Sequence, residues 1–217
     1  MQLIKFRKNL FFKLNKAKNL SKLIKKTIVN KKGFRQTVYV RMDEEKFKLN
    51  ENQIKKFIES IRNEKIEHNL CLDSSGNVLA YKTGTKDKVI FTKRELRKIN
   101  NAKVSIHNHT NGSSFSIFDL KFLIINNIKE IQVVTFDDNK KINYSLHLFS
   151  EIKNKDIDSL IDAYIKISKE TFIEIEYKKY KNQKEKDEEI KNFYHLAMKN
   201  FVKKYNKEFR YEKSERA

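Results

Sequence analysis

The chain has 217 residues, with 48 Lys and Arg against 28 Asp and Glu, a formal net charge of +20. This length suits one packed domain with an appendage better than two full domains, and 39% hydrophobic residues permit a modest core in which 16 Phe and 9 Tyr supply much of the burial. A single cysteine, Cys71, excludes an internal disulfide. No run approaches the roughly 18 apolar residues of a membrane span, and the first residues lack the apolar core of a signal peptide, so a cytoplasmic protein is expected.

The positive charge is uneven: residues 1 to 42 hold 13 Lys and Arg and no acid, leaving a net +7 for residues 43 to 217. Residues 3 to 29 read as a basic amphipathic helix or helix pair, because Leu3, Phe6, Leu10, Leu14, Ala17, Leu20 and Ile24 recur every three or four positions between lysines. Such a segment suits a nucleic-acid arm, an anionic membrane surface or a docking helix. Equally, it suits a helix packed on the domain with a solvated lysine face.

Residues 36 to 42 alternate as a strand. Asn50 then caps an expected helix over 51 to 63, with Ile54, Phe57, Ile58 and Ile61 as its apolar stripe. From Glu67 the pattern becomes a meander of short strands, 67 to 73, 78 to 82 and 88 to 91, with a turn around Gly76 and a loop around Gly84. Thr92-Lys93-Arg94-Glu95 has the form of a capping box that opens a helix to about residue 100. The next strand, 103 to 107, leads into the chemistry.

Val104-Ser105-Ile106-His107-Asn108-His109 places two histidines two residues apart. In a strand, side chains at i and i+2 share a face about 6.5 to 7 Å apart, so both rings can converge on one ion. A loop of small residues follows, and Ser116-Ile117-Phe118-Asp119 opens an apolar helix expected over 117 to 127. Folded back over the strand end, Asp119 becomes a third ligand. Two imidazoles and a carboxylate match a catalytic zinc, which keeps three protein ligands and one open position for water. Hydrolysis also needs a proton acceptor, and Glu67, at the start of the strand over 67 to 73, is the candidate.

A Glu at a strand start, then His107-Asn108-His109, then Ser116-Ile117-Phe118-Asp119, resembles the JAB/MPN (JAMM) metalloprotease family over about residues 60 to 150. The form is most similar to the bacterial and phage-associated branch that includes the RadC-like domains. Thr110 stands where the family usually has proline. The resemblance implies an MPN/JAB-like α+β fold, a mixed sheet flanked by helices, and zinc-dependent cleavage of a protein or peptide substrate. It implies His107, His109 and Asp119 as zinc ligands, Glu67 as the catalytic glutamate and Ser116 as a donor to the oxyanion. It also implies a cytoplasmic setting, in a phage-encoded or host-delivered protein. Read without the resemblance, Ser116 and Asp119 are equally a helix capping box.

Strands at 130 to 136 and 143 to 149 follow, then a helix over 155 to 178, a charged solvated stretch over 180 to 188, and a last helix over 189 to 205. Phe209-Arg210-Tyr211 forms a short strand or packs on the core. His147 and His195 are expected outside the site. The expected layout is a basic helical arm over 1–35, a JAB/MPN-like domain over 36–150 and a helical extension over 151–217. The rival reading is a noncatalytic MPN-like module, phage-head- or nucleic-acid-associated, that binds through residues 1–42.

Overall fold

Short apolar alternations in the middle of the chain assemble into a six-stranded mixed sheet in the computed structural model, which describes residues 23–29, 35–41 and 48–216 apart from 138 and 139. In chain order the elements are β1 (Leu23–Val29), β2 (Arg35–Arg41), α1 (Glu51–Ile61), β3 (His68–Leu72), β4 (Val78–Thr83), α2 (Lys93–Ile99) and β5 (Val104–Asn108). They continue with α3 (Ile117–Ile125), β6 (Glu130–Asp137), β7 (Lys140–Leu148), α4 (Asn154–Tyr177), α5 (Gln183–Lys191), α6 (Phe193–Lys204) and β8 (Phe209–Arg216). The sheet order is β4-β3-β5-β6-β7-β8, and β1 and β2 form a separate antiparallel pair.

Only β5 and β6 run parallel, which requires a crossover between them. Helix α3 makes it, so the loop leaving the end of β5 leads straight to the start of α3.

The side-chain alternation of the strands separates two cores. Leu70, Leu72, Ile106 and Val134 face α1 and pack with Phe57 and Ile61. Cys71, Ile131 and Val133 face the other way, against Leu120, Leu123 and Ile124 of α3, Leu160, Ile161 and Tyr164 of α4, and Met198 and Phe201 of α6. Strand β3 is buried along its whole length because it is covered on both faces. The caps read from sequence are formed: Asn50, Thr92 and Ser116 each close a capping box at the start of α1, α2 and α3.

Several elements differ from the sequence reading. The expected helix over 3 to 29 is a strand in its last part, where Leu23–Val29 pairs with Arg35–Arg41; the β-branched Ile24, Thr27, Ile28 and Val29 favour a pleated backbone over a helix. Its earlier part lies outside the described residues. No strand forms over 88 to 91, because the amide of Thr85 bonds back to the carbonyl of Lys88 at 2.9 Å. Phe91 stacks on Phe122 at 5.5 Å. The last helix begins earlier than expected, as α5, and breaks at Asn192, whose amide closes α5 on Glu188 while its carbonyl accepts the amide of Leu196. The segment expected as a helical extension ends in β8, which pairs with all but the first residue of β7. Among the described residues no helix is long and apolar enough to cross a membrane.

Candidate metal centre

Strand β5 brings Ser105 and His107 to the α3 face and Ile106 to the α1 face. The extended path continues one residue beyond the strand. The amide of His109 donates to the carbonyl of Val134 at 3.2 Å, and the Thr135 hydroxyl donates to the carbonyl of His109 at 2.9 Å. His109 therefore follows His107 on the same face. The loop then reverses through Gly112, whose φ of 78° suits glycine, and Asn111 Oδ1 accepts both the amide and the hydroxyl of Ser113. Phe115, fully buried, anchors the loop, and Ser116 caps α3 so that Asp119, in its first turn, faces the two rings.

The three side chains each offer a ligand atom within 4.8 Å of the others. His107 Nε2 lies 3.1 Å from His109 Nε2 and 3.2 Å from Asp119 Oδ1, and His109 Nε2 lies 3.5 Å from Asp119 Oδ2. Ligands at about 2.0 to 2.2 Å from a tetrahedral zinc stand about 3.3 to 3.6 Å apart, so these donors are already close to the edge length of such a site. This group can hold a metal ion.

Its electrostatics suit metal coordination. Burial lowers His109 from its ordinary value, with Asp119 opposing and His107 assisting, which favours the neutral imidazole that coordinates metals. Burial alone would raise Asp119, but His107, His109 and the Ser116 amide outweigh it and hold the carboxylate well below its usual range. His109 Nδ1 donates to the Ser113 carbonyl at 3.1 Å, which leaves Nε2 as the free lone pair. A carbonyl behind a ligating histidine fixes tautomer and ring orientation in this way.

Glu67 precedes β3. The antiparallel register pairs Asn69 with His107, so two residues back along β3 the strand brings Glu67 level with His109. Burial pushes its carboxyl up to about 7, with Asp119 and Asp87 adding to the rise and His107 opposing it. Its amide and carbonyl are bonded to Thr85 and Gly84, both at 2.8 Å. Gly84 must be glycine because a Cβ there would lie 2.0 Å from the Lys88 carbonyl oxygen. The Thr110 hydroxyl donates to the Lys86 carbonyl at 3.0 Å and ties this same loop to the histidine strand.

His107, His109, Asp119 and Ser116 come together here, Glu67 lies near enough to feel the charges of His107 and Asp119, and Ser116 is engaged otherwise than expected. Its hydroxyl and its amide both donate to Asp119 Oδ2 at 2.7 Å, so it holds the carboxylate that faces the two imidazoles, and donation to an oxyanion would require breaking that bond. His147 lies between Glu130 and Glu212, 3.9 Å from each, outside the group. Cys71 is a buried thiol, pushed up to about 12 by burial, and is unreactive.

No protein-family model, curated protein or solved structure matches the chain. Local chemistry therefore carries the functional reading, and it includes residues that sequence pattern had not marked. Asn108, between the two histidines, is fully buried. Its side chain accepts the amide of His68 at 2.7 Å and donates to the carbonyl of Ile66 at 3.1 Å, gripping the backbone on both sides of Glu67. Asn69, the cross-strand neighbour of His107, accepts the Ser105 hydroxyl at 2.9 Å through Oδ1. Farther out, the Ser114 hydroxyl bonds Tyr211 Oη at 2.8 Å, and Tyr211 Oη bonds His195 Nδ1 at 2.7 Å, so β8 and α6 brace the loop that orients His109. Only the strand alternation of Tyr211 hinted at this.

Proposed function

We propose that this chain is a zinc-dependent peptidase or isopeptidase of the JAB/MPN (JAMM) type, acting on a protein or peptide substrate. The observation that carries the reading is the buried convergence of His107, His109 and Asp119 beside a carboxyl, Glu67, poised near neutrality. When bound, zinc supplies Lewis acidity toward a carbonyl and toward water. His107, His109 and Asp119 would hold the ion, and Ser113 and Ser116 orient two of them. Glu67 takes the proton of the attacking water and returns it to the departing nitrogen, the shuttle for which a value near the working pH is best. Asn108, Gly84 and Thr85 keep that carboxylate in place.

The test begins with elemental analysis of purified wild-type protein, of His107→Ala with His109→Ala, and of Asp119→Ala. About one zinc per chain, lost in both variants, together with peptide cleavage abolished in zinc-loaded Glu67→Gln, supports the reading. Failure of chelator-free protein to hold or take up zinc overturns it. A second reading, a noncatalytic nucleic-acid-binding module, is favoured by the 13 Lys and Arg without an acid in residues 1 to 42. It requires DNA or RNA binding with a steep salt dependence that is lost when residues 1 to 35 are removed.

A further inference from the structure

Two cavities with no lining residue in common flank the His107–His109–Asp119 group, one bordered by Ser116 and the other by His109. One, of about 540 Å³, opens at Ser116 and is walled by Phe118, Tyr164, Ile165, Phe172 and Tyr194. Phe118 is 76% exposed and Phe172 48%, which is costly for rings with no occupant against them. The other, of about 520 Å³, opens at His109 and Thr110 and carries Lys65 and Lys86. Neither ammonium group makes an ion pair among the described residues. The single carboxylate in that cavity, Glu64, already faces His68 at 4.0 Å, and Arg62 is committed to the carbonyls of Thr135 and Ile142.

Asp119 lies between one lining residue of each cavity: its Oδ2 is 3.5 Å from His109 Nε2 and 2.7 Å from Ser116 Oγ. An extended chain advances about 3.3 to 3.6 Å per residue, so a peptide bond held over the centre puts its neighbouring side chains into different cavities. Resting on the hydrolase reading above, we propose that the substrate is an extended peptide segment with a large apolar side chain on one side of the cleaved bond and a carboxylate side chain on the other. The apolar side occupies the cavity between α3, α4 and α6, and the acidic side meets Lys65 and Lys86. Both cavities are in the size range of small-ligand pockets, enough for one or two side chains each.

The experiment uses full-length zinc-loaded protein and four labelled peptides: acid–apolar, apolar–acid, one with the acids replaced by lysine, and one with the apolar residues replaced by serine. Binding is read by fluorescence anisotropy on Glu67→Gln, and cleavage by mass spectrometry on the wild type. One of the first two peptides is expected to bind at least tenfold more tightly than either substituted peptide. Lys65→Glu with Lys86→Glu should reverse the preference toward the lysine peptide, and Phe118→Ser with Phe172→Ser should abolish the preference for the apolar residues; zinc content checks that both variants are folded. Equal handling of all four peptides, or no binding of any, overturns the two-sided assignment. Cleavage without preference leaves the hydrolase standing and refutes only the substrate class. Preferential binding without cleavage by the wild type supports the peptide site and refutes the hydrolase.

Discussion

Replacing Glu67 by Gln tests the electrostatics of the site apart from its chemistry. In the folded chain burial raises this carboxyl from 4.5 to about 7, so the unfolded chain releases the proton at lower pH than the folded one. The sign follows directly: Glu67 contributes fully to stability below about pH 4.5, the contribution falls as pH rises, and it is gone above about 7. The difference between 4.5 and about 7 bounds the cost of ionisation at about 3 kcal/mol, and solvent screening at a half-buried carboxylate reduces it to about 1 kcal/mol. Glutamine keeps the shape without the charge. In chelator-treated protein at pH 8, Glu67→Gln should therefore melt about 2 to 4 °C above wild type, and the gap should close at pH 4.5. Calorimetry across pH 4.5 to 8 measures it. A variant less stable than wild type at pH 8, or a gap that does not change with pH, refutes the reasoning. In the zinc-loaded protein the same variant should be inactive, so stability and activity move in opposite directions, as expected where a site holds a group against its preference.

Ser116→Ala removes the cap of α3 and one of the two bonds that hold Asp119 Oδ2; it should cost about 1 kcal/mol and weaken zinc affinity about 10- to 100-fold, read by competition with a chromogenic chelator. Asn108→Ala leaves the His68 amide and the Ile66 carbonyl without the side-chain partner they have now. It should lower stability by about 2 kcal/mol and lower kcat while KM and zinc stoichiometry hold, a combination that mere loosening of the metal ligands would not give. Phe57→Ala, at a fully buried position between α1 and the sheet, should cost about 3 to 5 kcal/mol in a denaturant titration without changing the metal-to-protein ratio of the folded fraction.

The grouping of His107, His109 and Asp119 was legible because its geometry is local. A two-residue period puts His107 and His109 on one face of any strand, and a Ser-x-x-Asp pattern that caps a helix is read within four residues. The caps of α1 and α2 were legible for the same reason. The supporting bonds were not, because they depend on register. Asn108 grips residues some 40 positions away, and Asn69 meets Ser105 only because β3 and β5 align as they do. Lys88 to Phe91 alternates like a strand, yet the Gly84 loop turns the chain back first, with the Thr85 amide on the Lys88 carbonyl. At Leu23–Val29 leucine and lysine fit either period, and the β-branched residues, weighed less than the spacing, decided for the strand.

The hydrogen bond between Ser114 and Tyr211 spans 97 positions, and this separation sets an order of events during synthesis. At about 5 to 20 residues per second, the ribosome finishes Tyr211 roughly 5 to 20 s after the histidines have been made. Until then the nascent chain can pair β3, β4, β5, β6 and β7 but lacks the outermost strand and the brace on the loop behind His109. The chain thus makes His107, His109 and Asp119 early and the brace on the loop behind His109 late. The fold is thus assembled in outline before the loop behind His109 is fixed.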